Sequence, residues 1–207
     1  HFSIQEILEL AVVGNLGESV DGGLILHFLV HTRLGQGIGN VGEHLVDLLR
    51  KENVEVYVSD INEERLQQVA RKYKAKAIEA DKIFTIGADI YAPCALGATI
   101  NDDTIPQLKA RIVAGCANNQ LKEARHGDVL RQKGILYAPD YVINAGGIIN
   151  VAFEMRPEGY AEHESTAKVM AIYDTLLNIF QRADAEKQST SVIADLMAQE
   201  IIRRGKA

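Results

Sequence analysis

Residues 35–42 read GQGIGNVG, and an aspartate follows at position 60 in VSDIN. Glycines spaced G-x-G-x-x-G, opening a helix and followed about 20 residues later by an acid, specify one local geometry. It is a tight strand-to-helix turn whose backbone lies open to a diphosphate. The three glycines serve different ends. Gly37 allows the sharp bend, Gly39 lets backbone approach a pyrophosphate, and Gly42 lets the helix pack against its strand. The helix N-terminus adds amides without intrahelical partners and the positive end of the aligned peptide dipoles, both suited to an anion. Asp60 lies 18 residues beyond Gly42, where an acid accepts hydrogen bonds from the adenosine ribose hydroxyls. It also favours NAD over NADP. A carboxylate about 4 Å from a 2′-phosphate charge is repelled by roughly 1 kcal/mol in water and about 4 kcal/mol at an effective dielectric of 20.

With 17 glycines in 207 residues, such a pattern also arises by chance in a glycine-rich loop, so its surroundings matter. The next segment, EHLVDLLRKEN, carries Leu45, Val46, Leu48 and Leu49 at helical spacing, and VEVYVSD alternates valines as a strand does before reaching Asp60. The approach to the turn is less regular. The best strand candidate before it, LILHFLV at 24–30, is separated from Gly37 by HTRLGQ. Either a loop of six residues intervenes, or Leu34–Gln36 form a shortened strand end. Extra length would displace the turn from the sheet and weaken cofactor binding, to the point of a folded domain with no useful affinity.

A chain of this length with 47% hydrophobic and 24% charged residues buries a substantial core, and one large domain is expected. The net charge of −6 argues against a nucleic-acid surface, since the only basic cluster is the terminal RRGK at 203–206, which reads as a solvated helix end. No apolar run reaches the roughly 18 residues of a membrane span, and the N-terminus lacks the pattern of a cleaved leader, so a cytoplasmic protein without membrane contact is expected. Cys94 and Cys116 sit in apolar surroundings and read as buried thiols. The six histidines show no metal-ligand spacing with cysteines or acids, so no metal site is expected.

Along the chain, residues 3–13 place Ile4, Ile7, Leu8, Ala11 and Val12 on one helical face, and 14–23 read as a loop. NEERLQQVARKY has Asn62 as N-cap and Leu66, Val69 and Tyr73 as its stripe. KAKAI, ADIYAP and RIVAG are brief strand-like runs with helices expected between them. VAFEM, AKVMAIYDTLLNIFQRA and SVIADLMAQEIIRR give helical stripes such as Val169, Ile172, Tyr173, Leu176 and Phe180. The order predicts an α/β fold: a doubly wound, mostly parallel Rossmann-type sheet with C-terminal helices. Residues 1–23 form an N-terminal helix and loop in this reading, and 24–207 the dinucleotide-binding domain.

Three further segments, APCALG (92–97), GCANNQL (115–121) and PDYVINAGG (139–147), carry short polar groups just after strands, where open parallel sheets bind ligands. Asn118, Asn119 and Asn144 supply amides that donate and accept, as a nicotinamide carboxamide requires.

The stretch from APCALG to YVINAGGIINVA, through ANNQL and HGD, resembles the cofactor domain of the glutamate, leucine, phenylalanine and valine dehydrogenases, in their leucine branch. The resemblance runs from about Gly35 to the C-terminus. It implies that Gly37, Ile38, Gly39, Asn40 and Val41 hold the NAD diphosphate and Asp60 the adenosine ribose, that Gly42 and Ile61 belong to the same cofactor-binding set, and that Cys94, Ala95 and Leu96 lie along the cofactor. It further implies that Asn118 and Asn144 orient the nicotinamide and that Ile148 and Val151 line a pocket for a branched side chain. The implied reaction is oxidative deamination of an L-amino acid to a 2-oxo acid and ammonia, with hydride passing to NAD. In that family a preceding substrate domain supplies two lysines and an acid–base aspartate, and no segment here matches them. The chain is therefore expected to be the cofactor-binding portion, without catalytic residues of its own and inactive alone, and a homo-oligomer is possible by the same resemblance. The competing expectation is a non-catalytic NAD-binding or assembly module that uses its C-terminal helices for association.

Overall fold

The computed structural model describes residues 32–51 and 54–205. The first described strand, β1 (Thr32–Gln36), runs directly into Gly37, so no loop intervenes before the glycine turn. This decides between the two readings of HTRLGQ and removes the offset that threatened cofactor affinity. The stretch 24–30, the helix at 3–13 and the loop at 14–23 lie outside the described residues. TRLGQ has weak strand character by itself. It is extended because it is the central strand, paired over five residues with β2 (Glu55–Ser59) and over four with β4 (Ile90–Pro93). Ladders on both sides override local propensity.

Helix α1 (Asn40–Lys51) follows the turn, and α2 (Glu63–Tyr73) follows β2. Asn62 caps α2, its side-chain oxygen accepting from the Arg65 N–H at 3.0 Å, and Glu63 and Glu64 complement the dipole in the first turn. Leu45, Val46 and Leu49 of α1 and Leu66 and Val69 of α2 pack with Val56 and Val58 of β2 in one core cluster. The remaining strands are short: β3 (Lys76–Ala77), β5 (Ile112–Val113) and β6 (Leu136–Tyr137). Among the described residues the six strands are all parallel, in the order β3-β2-β1-β4-β5-β6.

Among the described residues the expected alternation of helices fails twice: between β3 and β4 there is only a 3-10 turn at Ile83–Thr85, and between β4 and β5 there is no helix. In the second of these the segment Asn101–Gln107 forms turns. Asn101 Oδ1 accepts from the N–H groups of Asp103 and Thr104, and Thr104 Oγ1 donates to the Thr99 carbonyl at 2.5 Å. Such side chains offer the backbone an alternative to helical bonds, and Pro106 cannot donate one. Helices resume with α3 (His126–Gln132), the single turn α4 (Asp140–Ile143) and α5 (Gly146–Glu154). Two long helices close the chain, α6 (Glu162–Glu186) and α7 (Thr190–Arg204). Val169, Ile172, Leu176, Ile179 and Phe180 of α6 are buried with Ile193 and Ala194 of α7, and Tyr173 packs half-buried at the edge. No helix among the described residues is long and apolar enough to cross a membrane.

Two substitutions test this packing. Leu176, fully buried, should lose about 2–5 kcal/mol as Leu176→Ala, whereas Met155→Ala, at a side chain 79% exposed, should stay within about 0.5 kcal/mol of the parent. Urea midpoints measured at constant m-value check both.

Candidate functional site

In this sheet the strand order reverses between β1 and β4, and the crevice beyond their C-terminal ends is where open α/β sheets bind ligands. Four chain segments converge there. Gly37, with φ of +84°, donates its N–H to the Ser59 carbonyl at 2.8 Å, and the Cys94 N–H donates to the Gln36 carbonyl at 2.7 Å. The loop at 94–97 presses onto the turn so closely that a Cβ at Gly37 would fall 2.3 Å from Cβ of Ala95. One at Gly42 would fall 1.9 Å from the Gly37 carbonyl oxygen. Gly39 differs: a Cβ there would meet nothing nearer than Nη1 of Arg65, at 3.9 Å. Two glycines are therefore required by backbone packing, while the third leaves open space beside the turn.

Asp60 follows the end of β2 and is locked in place by backbone. Its Oδ2 accepts from the Ile38 N–H at 2.9 Å and its Oδ1 from the Asn62 N–H at 2.8 Å. A carboxylate oxygen has two acceptor sites, so both remain able to receive a ribose hydroxyl. Ile38 is itself buried in the core, so its contribution is to hold the turn and Asp60 together; its amide is already committed. Val41, Ile61 and Leu96 are exposed around the mouth, Ile61 at 93%. Asn40 begins α1.

On the β4–β5 side, Asn144 Nδ2 donates to Asn118 Oδ1 at 2.6 Å, so two of the amides singled out in the sequence meet across 26 residues. The third, Asn119, has φ of +53° and accepts the Ala98 N–H at 2.7 Å, which stitches this loop to the one after β4. Ile148 and Val151 stand exposed on α5.

Several supporting residues escape a reading of the sequence. Gln120 is fully buried, and its Nε2 donates to the carbonyls of Gly115 at 2.7 Å and Ala117 at 2.9 Å. Asp140 accepts from the Gln120 N–H at 3.3 Å and from the Tyr137 hydroxyl at 3.2 Å. Burial and the nearby Asp140 carboxyl push the Tyr137 hydroxyl well above the usual tyrosine range. Arg65 brings a cation beside Gly39. Gln120 and Asp140 lie inside the motifs already noted, but hydrophobic pattern does not reveal that a polar side chain turns inward.

A second polar cluster lies outside the crevice, in which Asp102, Glu123 and His126 bring ligand-type atoms within 4.8 Å of one another. It is organised by a cation already present. Arg125 pairs with Asp102 through Nη1 at 2.9 Å and with Glu123 through Nε at 2.8 Å, and holds both carboxyls below their usual range. Nδ1 of the buried His126 accepts the Glu123 N–H at 3.0 Å. The cluster fastens the turns at 101–104 to the start of α3.

Comparison with known proteins agrees with this architecture. Residues 57–203 match the family Glutamate/Leucine/Phenylalanine/Valine dehydrogenase. The leucine dehydrogenase of Bacillus cereus is 50% identical over 167 residues, which are 81% of this chain and 45% of that protein. The L-tryptophan dehydrogenase of Nostoc punctiforme is 46% identical over 172 residues, 83% of this chain and 48% of the relative. The crystal structure of L-tryptophan dehydrogenase from Nostoc punctiforme aligns with a TM-score of 0.81 at 41% identity, covering 97% of this chain and 60% of the other. A hetero-hexameric glutamate dehydrogenase from Thermus thermophilus, at 15% identity and a TM-score of 0.62, shares the fold. The chain spans about half the length of the curated relatives it matches. By family match and by extended identity, the chain belongs to the glutamate, leucine, phenylalanine and valine dehydrogenase family.

Proposed function

We propose that this chain is the NAD-binding portion of a cytoplasmic L-amino-acid dehydrogenase of the leucine or branched-chain type. The observation that carries the reading is Asp60, fixed by the amides of Ile38 and Asn62 beside a turn that is open at Gly39. Bound NAD would accept the hydride from the amino-acid Cα, leaving a 2-oxo acid and ammonia. The residues here bind and orient. Backbone at Gly39–Val41 and the start of α1 face the diphosphate, with the Arg65 cation beside them, and Asp60 receives the ribose hydroxyls. Asn118, its oxygen taken by Asn144, keeps its amide hydrogens for the nicotinamide side, with the loop at Cys94–Leu96 along the cofactor.

Ile148 and Val151 offer apolar surface to a branched side chain. The leucine branch is supported by leucine dehydrogenases at 48–50% identity, against 44–46% for the phenylalanine and tryptophan enzymes. Such a pocket separates substrates that differ by one methylene by about 1–3 kcal/mol. The proton-transferring lysines and aspartate are in this reading supplied outside the chain, which by itself binds NAD without turning over amino acid. A second reading, a non-catalytic module that assembles through α7, draws on the exposure of Ile201 and Ile202 at 67% and 56%, and a monomeric sedimentation profile would contradict it.

Calorimetric titration tests the main reading. NAD should bind saturably and NADP much more weakly. Asp60→Asn should weaken NAD by roughly tenfold to a hundredfold, the worth of a hydrogen bond to a charged group, and should narrow the gap to NADP. Equal affinity for both dinucleotides in the parent chain would contradict it. Leucine and NAD added together should yield no NADH above background, and robust NADH production would overturn the assignment of proton transfer to other residues.

A further inference from the structure

Strands β4 and β5 pair with Ile90 opposite Ile112 and Tyr91 opposite Val113, and the same register carried past the strand ends sets Cys94 against Cys116. The two chains stay close there. The Ala117 N–H donates to the Pro93 carbonyl at 2.9 Å, and a Cβ on Gly115 would fall 2.3 Å from that same oxygen. The Cys116 backbone and thiol therefore lie beside the Cys94 sulfur, near enough for each thiol to shift the other's titration. Both cysteines are free and partly exposed. Neighbouring strands lie about 4.8 Å apart, inside the roughly 4.4–6.8 Å between Cα atoms that a disulfide spans. The Cys94 thiol draws the Cys116 thiol below the usual thiol range, while the neighbouring Cys116 thiol and burial hold Cys94 above it.

We propose that Cys94 and Cys116 form a reversible dithiol–disulfide pair, oxidised by a hydroperoxide, at the floor of the crevice between β1 and β4. The Cys116 thiolate attacks the terminal peroxide oxygen; a sulfur–oxygen bond forms, the oxygen–oxygen bond breaks, and the departing alkoxide takes up the proton that Cys116 gave away. Cys94 then attacks the Cys116 sulfur, the sulfur–oxygen bond breaks, and water leaves with the Cys94 proton. In sum, two thiols lose two electrons and two protons, and the hydroperoxide becomes an alcohol and water. The bridge ties the loop at 94–97 to that at 116–119. Since Ala95 lies against Gly37 and Cβ of Cys94 is 3.5 Å from where a Cβ at Gly42 would be, any shift in that loop reaches the glycine turn. The effect on dinucleotide affinity rests on the reading of this crevice as an NAD site; the bridge itself does not.

The test treats the 207-residue chain with hydrogen peroxide near stoichiometry and follows intact mass, free thiols and mobility on non-reducing gels. The sequence has two cysteines, so an intrachain bridge must join these two. The mass should fall by two hydrogens, free thiols should drop from two to none, and dithiothreitol should restore both. Cys94→Ser and Cys116→Ser should each form no intrachain bridge. Oxygen adducts without a bridge, or chain dimers alone, would overturn the pairing. The bridged chain should bind NAD at least roughly tenfold more weakly than the reduced chain. Unchanged affinity in a chain shown by mass to be bridged would overturn the switch, and the mass readout stands whether or not the reduced chain binds NAD.

Discussion

At Gly37 the backbone of four segments meets within van der Waals distance, and the rest of the molecule is arranged around that crossing. The end of β1 enters it, α1 leaves it with Gly42 lying on the Gly37 carbonyl, the end of β2 accepts its amide through Ser59, and the loop after β4 presses on it through Ala95. No Cβ fits at Gly37 or Gly42, where the nearest atoms are largely backbone that cannot rotate away. The crossing fixes the angle at which α1 rises from the sheet, and hence which side chains of α1 face Val56 and Val58 in the core. It also sets where the N-terminus of α1 points.

Electrostatics follow from this geometry. The turn delivers the Ile38 N–H to Asp60, and the start of α2 delivers that of Asn62, so a carboxylate that would otherwise swing in solvent is held next to the open glycine. Hydrogen bonds to a charged acceptor are in general stronger than those between neutral groups. On the other side of the crevice side-chain amides do most of the holding, with the Asp140 carboxyl behind them. Gln120 satisfies two loop carbonyls from a buried position, and Asn144 anchors Asn118. The crevice thus pairs a charged, backbone-locked wall with an amide-lined one, a division that suits a ligand with a sugar diphosphate at one end and a carboxamide at the other.

Much of this is legible in the sequence because it depends on short-range rules. The glycine spacing, the acid after VEVYVS, the Asn62 cap and the stripe through Val169, Ile172, Leu176 and Phe180 are each encoded within a turn or two of chain. What is not legible depends on partners far away. TRLGQ becomes a strand only because β2 and β4 flank it, and LILHFLV looks more strand-like in isolation. Asn101 and Thr104 redirect a crossover into turns by bonding to their own backbone. Arg65 and Gln120 acquire their positions from packing that no periodicity encodes. Motif spacing picks out most residues of the crevice, whereas the hydrogen bonds that hold them emerge only from the folded chain.

The central claim is that the dinucleotide sits at the switch point between β1 and β4 and touches both walls. Backbone amide shifts followed by NMR while NAD is added test it most directly. The account predicts large, saturable changes confined to Gly39–Val41, Asp60, Ala95 and Asn118, with α7 unaffected. Changes centred elsewhere, or confined to one wall of the crevice, would contradict it.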